Sequence, residues 1–260
     1  MRNRLTDELA VCGMNAVLAV SEHHPQTINR LFLREDRLEF FTGICKQLAE
    51  RKRPYKICED DELERICKSV HHQGIVAMIE EPAVEGLTLE DLDAWASEGK
   101  TGVLLYSVGN DHNLGAIARA AAFFDVSYIV LNEKDSSLRT DEEDDRDVRL
   151  TTSAYRVAEG GFEHLTVRKV ANASAFLKDA SKRLVTIGTD IRARMRISDM
   201  EKIRKKNTGT VLVLGNEETG LPKEVKDKCS YLLRIPGTGN IDSLNVSQAA
   251  ALFLHAIFES

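Results

Sequence analysis

Three stretches of the 260-residue chain carry side chains whose types and spacing can do chemistry. The last begins Ile235-Pro236-Gly237-Thr-Gly239 and runs through Ser243-Leu244-Asn245 into an apolar segment, Val246–Phe258. Proline and glycine make a tight loop with its backbone exposed, and a small polar residue ahead of an apolar run is an N-cap signal. Freed amides next to a helix N-terminus suit a polar ligand. The middle stretch, Val211-Leu-Val-Leu214-Gly215-Asn216-Glu217-Glu218-Thr219-Gly220-Leu221-Pro222, is an apolar strand breaking into a glycine-bounded loop. With two carboxylates and no lysine where a phosphate would need one, it suits a cation or a donor-rich ligand better than a triphosphate. The first stretch is Asn113-Leu-Gly-Ala-Ile-Ala-Arg119. Asn113 is expected to cap a helix there, and Arg119 falls about 120° around that helix from it.

Each stretch needs a strand to deliver it to one edge. Buried strands are expected at Val103–Val108, Tyr128–Leu131, His164–Val167, Leu184–Ile187, Val211–Leu214 and Tyr231–Ile235, with helices between them, Asn113–Phe124 among these. This is the pattern of a large α/β domain over 101–260. Earlier in the chain, helices over 13–24, Leu38–Arg51 and Asp60–Cys67 alternate with strands at Ile28–Leu33, Tyr55–Cys58 and Ile75–Met78. They predict a small α/β domain over 1–82. Residues 83–100, with Pro82 beside them, Gly86 and Gly99 within them and a short helix Leu89–Ala96, read as the linker, which Trp95 packs onto a neighbour. The His71-His72-Gln73-Gly74 turn suits a loop role better than a metal, because adjacent residues on an extended segment point to opposite faces.

The chain has a net charge of −6, unevenly spread. Acidic residues crowd 141–147, whereas 182–206 holds nine Lys or Arg against three acids. A local basic segment attracts phosphate even on an acidic protein, so Arg192, Arg194 and Arg196 are candidate phosphate contacts, weighed against a merely solvated charged face. The five cysteines form no CxxC pair and no zinc-spaced cluster with histidine, and they are expected as reduced thiols with no metal. No run of about 18 apolar residues exists, and the chain is expected to be soluble, cytoplasmic and free of the membrane.

In sequence order, N-x-G-x-x-x-R from Asn113, L-G-N-E-x-x-G-L from Leu214 and I-P-x-x-G-x-x-x-S-L-N-V-S from Ile235 resemble the SpoU/TrmH family of RNA ribose 2′-O-methyltransferases. The first domain resembles that family's ribosomal-protein-like RNA-binding domain through Gly13–Val20 and His72-Gln73-Gly74. The resemblance implies a SPOUT-type parallel sheet with a C-terminal trefoil knot. It also implies S-adenosylmethionine as cofactor, held by Leu214, Gly215, Asn216, Gly220, Ile235 and Leu244, and a homodimer that methylates tRNA or rRNA. Arg119 is then the residue that activates the ribose hydroxyl, either as a depressed base or as a cation that orients phosphate and steadies the alkoxide. Asn113, Glu217, Ser243 and Asn245 become the orienting groups around it. Where many relatives carry Ser-Ala-Gly-Ala, this chain has Ser153-Ala-Tyr-Arg-Val-Ala-Glu-Gly160-Gly161. Two other readings stay open: a knotted RNA-binding protein without turnover, and an unrelated nucleotide-binding enzyme, which the missing phosphate-binding lysine disfavours.

Overall fold

The computed structural model describes residues 8–133, 149–205 and 207–260; the acidic tract 141–147 lies outside them. The chain divides into two compact units, residues 1–83 with 150–164, and residues 84–149 with 165–260.

The first unit is built from β1 (Glu8–Cys12), α1 (Met14–His23), β2 (Ile28–Leu33), α2 (Thr42–Glu50), β3 (Tyr55–Ile57), α3 (Asp60–Cys67) and β4 (Ile75–Glu80). Its sheet runs β1-β4-β2-β3, antiparallel except for the β2–β3 pair. The expected strand at Ile28–Leu33 and helix at Asp60–Cys67 have those bounds in the structure. The helix expected over Leu38–Arg51 starts later, after a 3-10 turn at Glu35–Arg37. Strand β1 escapes the sequence reading because its polar first residue, Glu8, is buried and paired with Arg30 of β2. His72 is buried, and its Nδ1 accepts from the Gly74 amide at 3.0 Å, which shapes the turn into β4.

The second unit takes β5 (Glu85–Gly86), α4 (Leu89–Ser97), β6 (Thr101–Leu105), α5 (Asp111–Phe123) and β7 (Tyr128–Asn132). The next helix, α6 (Thr152–Ala158), belongs to the first unit. The second unit resumes with β8 (Thr166–Val170), α7 (Ala173–Ala180), β9 (Val185–Thr189), β10 (Met195–Arg196) and α8 (Met200–Ile203). It ends with β11 (Thr210–Leu214), α9 (Lys223–Lys226), β12 (Tyr231–Arg234) and α10 (Val246–Glu259). All eight strands run parallel in the order β10-β12-β9-β11-β6-β7-β8-β5. Strands β6, β7 and β11 are buried along their whole length, as expected of a sheet covered on both faces.

Residues 84–100, read from sequence as a linker, pack into this unit. A capping box between Thr88 and Asp91 opens α4. Trp95, fully buried, stacks on Tyr128 at 4.8 Å and donates from Nε1 to the carbonyls of Lys100 and Thr210. The indole lies so close to β6 that a Cβ on Gly102 would come within 2.2 Å of its ring.

Candidate active site

In a parallel sheet, ligands bind in the crevice outside the carboxyl ends of the strands, where the chain order switches direction. Here the switch falls between β6 and β11. Strand β6 continues to β7 and β8 on one side, and β9 and β12 lie beyond β11 on the other. The two carboxyl ends are tied together. The Tyr106 amide donates to the Leu214 carbonyl at 2.8 Å, and the Asn216 side chain donates to the Ser107 carbonyl at 2.9 Å. Ser107 has a left-handed backbone (φ 56), which turns the chain away from β6 toward α5.

After β11 the loop folds back on itself. Asn216 Oδ1 accepts from the amides of Glu218 and Thr219, and its backbone bridges Gly220. The fold-back is so close that a Cβ on Gly215 would stand 2.5 Å from the Gly220 carbonyl carbon and 2.6 Å from the Leu221 nitrogen. Gly220 itself takes a positive φ of 66, so glycine is required at both ends of the loop for different reasons.

The three motifs meet in a chain of amides and one carboxylate. Asn245 Nδ2 donates to Asn113 Oδ1 at 3.1 Å, and Asn113 Nδ2 donates to Glu217 Oε1 at 2.5 Å. Asn245 also caps α10, its Oδ1 accepting from the Ser247 amide at 2.8 Å and hydroxyl at 2.6 Å. Asn113 does not cap α5 as the sequence suggested. Asn110 does, accepting from the His112 amide at 2.8 Å, and Asn113 lies buried within the first turn, aimed inward. The cap was missed because Asn110 and Asn113 are equally good capping residues, and only the path of the loop after β6 selects between them.

Arg119 lies on the exposed side of α5, roughly 9 Å along the helix from Asn113. Ser243 and Leu244 are exposed in the loop before Asn245, and Ile235 stands at its other end, half-buried. From Pro236 to Leu244 no backbone N–H or C=O is hydrogen-bonded to another backbone group among the described residues. Arg192, Arg194 and Arg196 are exposed in the segment that leaves the carboxyl end of β9 and forms β10. That segment is braced by Asp190, which accepts from the Arg192 amide and pairs with Lys226 at 3.0 Å. Burial raises the Asp190 carboxyl, but the amide and the ammonium outweigh it and hold the group below the usual carboxylate range. Arg204, counted in the same basic segment, is structural. Its guanidinium donates to the carbonyls of Ile257 and Ser260 and to Thr210 Oγ1. Among the described residues no group of three or more His, Cys, Asp or Glu is placed to hold a metal ion.

A profile described as the SpoU rRNA Methylase family matches residues 100–255, and one described as RNA 2′-O ribose methyltransferase substrate binding matches residues 10–84. The chain belongs to the SpoU methylase family. A 23S rRNA (guanosine-2′-O-)-methyltransferase RlmB from Coxiella burnetii is 31% identical over 257 residues, covering 95% of this chain and 94% of that one. The RlmB of Pseudomonas aeruginosa is 30% identical over 250 residues, covering 95% and 94%. Among solved structures, an AdoMet-bound rRNA methyltransferase from Sinorhizobium meliloti aligns with TM-score 0.72 at 23% identity, covering 97% of this chain and 87% of that one.

In the SpoU methylase frame, the site can be tested for its fit to S-adenosylmethionine. The glycine fold-back at Gly215–Gly220 presents backbone with no side chain in the way, and an added Cβ at Gly220, Gly237 or Gly239 would meet nothing within 4 Å. The Pro236–Leu244 loop offers amides and carbonyls that no backbone–backbone bond engages among the described residues, the Asn240 amide alone being drawn to Thr238 Oγ1 at 3.5 Å. Such a backbone-rich lining suits an adenosine and an amino-acid group, and Leu214, Gly215, Asn216, Gly220, Ile235 and Leu244 are the residues that would hold them. When bound, the cofactor supplies an electrophilic methyl group on a sulfonium.

Proposed function

We propose that this protein transfers a methyl group from S-adenosylmethionine to a ribose 2′-hydroxyl in tRNA or rRNA. The observation that carries the reading is the Asn245–Asn113–Glu217 chain, which draws all three motifs to the carboxyl ends of β6 and β11. A 2′-hydroxyl is a weak nucleophile, so it must be held in line with the methyl while its proton passes to water. Arg119 is the group we assign to that hydroxyl. A guanidinium stays protonated, and the role that asks least of it is to fix the adjacent phosphate and steady the developing alkoxide. Asn113, Glu217 and Asn245 fix the loops, and Ser243 stands in the loop that faces the ligand. Arg192, Arg194 and Arg196, exposed beyond β9, supply phosphate contacts.

The finer features follow the same reading. A trefoil knot is supported by strand order, because β11 inserts between the earlier strands β6 and β9. Homodimerisation is supported by apolar side chains left open on α5 and α10, Phe123 at 81%, Phe258 at 57% and Leu252 at 46% exposure. Phe253 and Ile257 of α10 are buried within the unit, so Leu252 and Phe258 carry the role. The cytoplasm is the compartment we assign. Incubating the purified protein with methyl-labelled S-adenosylmethionine and rRNA or tRNA from cells lacking it tests the function. Label should appear at alkali-resistant phosphodiester linkages, the mark of a blocked 2′-hydroxyl. Cofactor binding with no label in any RNA would instead support a binding protein without turnover.

A further inference from the structure

The first unit holds a second basic surface, one that lies outside the segment around Arg192. The stretch Arg51-Lys52-Arg53-Pro54-Tyr55-Lys56-Ile57 has four cations and no acid in an otherwise acidic part of the chain, and every residue of it is exposed. It runs from the end of α2 into β3, the outer strand of its sheet, whose far edge no other strand covers among the described residues.

The cations are not equivalent. Lys56 is neutralised by Glu62 at 2.6 Å. Arg51 donates to the carbonyls of Pro25 and Gln26 at 2.8 and 2.7 Å, which fixes its position and leaves its charge without a carboxylate. Lys52 and Arg53 have no ion-pair partner among the described residues. Among the described residues, three consecutive cations therefore have no carboxylate partner. Next to them, Tyr55 and Ile57 pair in register with the buried Leu31 and Leu33, at the rim where the sheet runs out. As a result 44% of Tyr55 and 48% of Ile57 remain open to water. An aromatic ring flanked by exposed cations on an exposed strand is the arrangement that holds single-stranded nucleic acid, with phosphates on the cations and a base on the ring.

We propose that this edge, Arg51 to Ile57, is a contact site for single-stranded RNA, with Lys52 and Arg53 on phosphates and Tyr55 stacking on a base. The inference rests on reading the protein as an RNA methyltransferase and gives the substrate a second hold, carried by the first unit. Two structural readings compete. Cations at the end of α2 offset its dipole, and lysine with proline protects an outer strand from pairing with other chains. Neither gives the Tyr55 ring a purpose.

Full-length protein is titrated with a fluorescein-labelled oligouridylate and with a labelled RNA hairpin across a range of salt, and methyl transfer is measured on the same preparations. Lys52→Gln with Arg53→Gln should weaken oligouridylate binding about tenfold and lower the salt slope by about 1.4, two contacts at ~0.7 each. Tyr55→Leu, which keeps apolar bulk at the rim, should weaken the single strand about tenfold and spare the hairpin stem, and Tyr55→Phe should restore it. Cofactor affinity should not change in any variant, which guards against misfolding. Unchanged oligouridylate binding with methylation intact overturns this inference and leaves the proposed function standing. Association of the Lys52→Gln, Arg53→Gln variant through β3, with RNA affinity unaltered, assigns the charges to edge protection and also overturns it. A wild-type protein that neither binds nor methylates RNA overturns both.

Discussion

The mechanism we propose depends most on Arg119, which stands exposed on α5 beyond the buried Asn113. Arg119→Ala should leave cofactor binding nearly intact, because the lining there is backbone, and should cost about 10²–10³ in turnover, the usual size for one preorganised electrostatic group. Arg119→Lys separates charge from shape: recovery of much of the rate assigns the role to charge, and little recovery assigns it to the planar fork that grips phosphate. Single-turnover assays with saturating cofactor make the measurement. The Asn113 amide predicts a reversal. It accepts from Asn245 and donates to Glu217, so Asn113→Asp keeps the first bond and sets two carboxylates against each other. Turnover and cofactor affinity should both fall, and adding Glu217→Gln should restore much of each, since the new amide can donate where Asn113 did. A double-mutant cycle reads the coupling. The identity of these residues was legible because each motif pairs a structural glycine with a polar side chain. Their connection was not, since hydrogen bonds joining residues 104 and 132 positions apart leave no periodic trace.

At the scale of elements, periodicity served where strands are buried on both faces and helices carry one apolar stripe. It failed at β1, where Glu8 interrupts the pattern, and over 150–164, where α6 and the 3-10 turn Gly161–His164 join the first unit although they follow β7 in sequence. Non-local packing of this kind is visible only in the fold. Glu163 lies in that segment, buried, with His24 Nε2 3.5 Å away. Burial pushes its carboxyl from 4.5 up to about 7. A raised carboxyl means the folded chain binds a proton that the unfolded chain releases, so stability should decline as pH rises from about 4.5 to about 7 and level off above. Glu163→Gln should flatten that decline and gain about 2 kcal/mol at pH 8, checked by urea unfolding at a series of pH values. Arg204 holds the other end of the chain, its guanidinium satisfying carbonyls of the last turn of α10. Arg204→Ala should cost about 1–3 kcal/mol, the penalty for stranding buried polar groups, and should speed amide exchange along α10.

For the whole molecule, the parallel sheet leaves one part of its helical cover unfinished. Helices α5 and α10 pack together. Val246, Ala250, Phe253, Leu254 and Ile257 of α10 turn inward, while Leu252 stays exposed and Phe258 stays open against Phe124, itself packed on Phe123, at the α5 end. Single exposed apolar residues are ordinary, but a cluster of aromatic side chains across two adjacent helices marks a surface made to be covered. The occupant we assign is a second copy of the chain, and a two-fold pairing would bury the same residues on each subunit. The protein should then run in light scattering at about twice its 29.0 kDa chain mass. Leu252→Glu with Phe258→Glu should bring it to one chain, because neither carboxylate can be buried against its symmetry copy without several kcal/mol of cost. Both positions are exposed in the single chain, so its fold and its unfolding midpoint at low concentration should hold. Arg119 and Phe123 lie one turn apart on the same side of α5, so the pairing surface adjoins the residue we assign to the ribose. The monomeric variant should therefore lose turnover more than tenfold while still binding RNA through the first unit. A variant that is monomeric and fully active would place the complete site within one chain, and wild-type protein that runs as a single chain would remove the pairing itself.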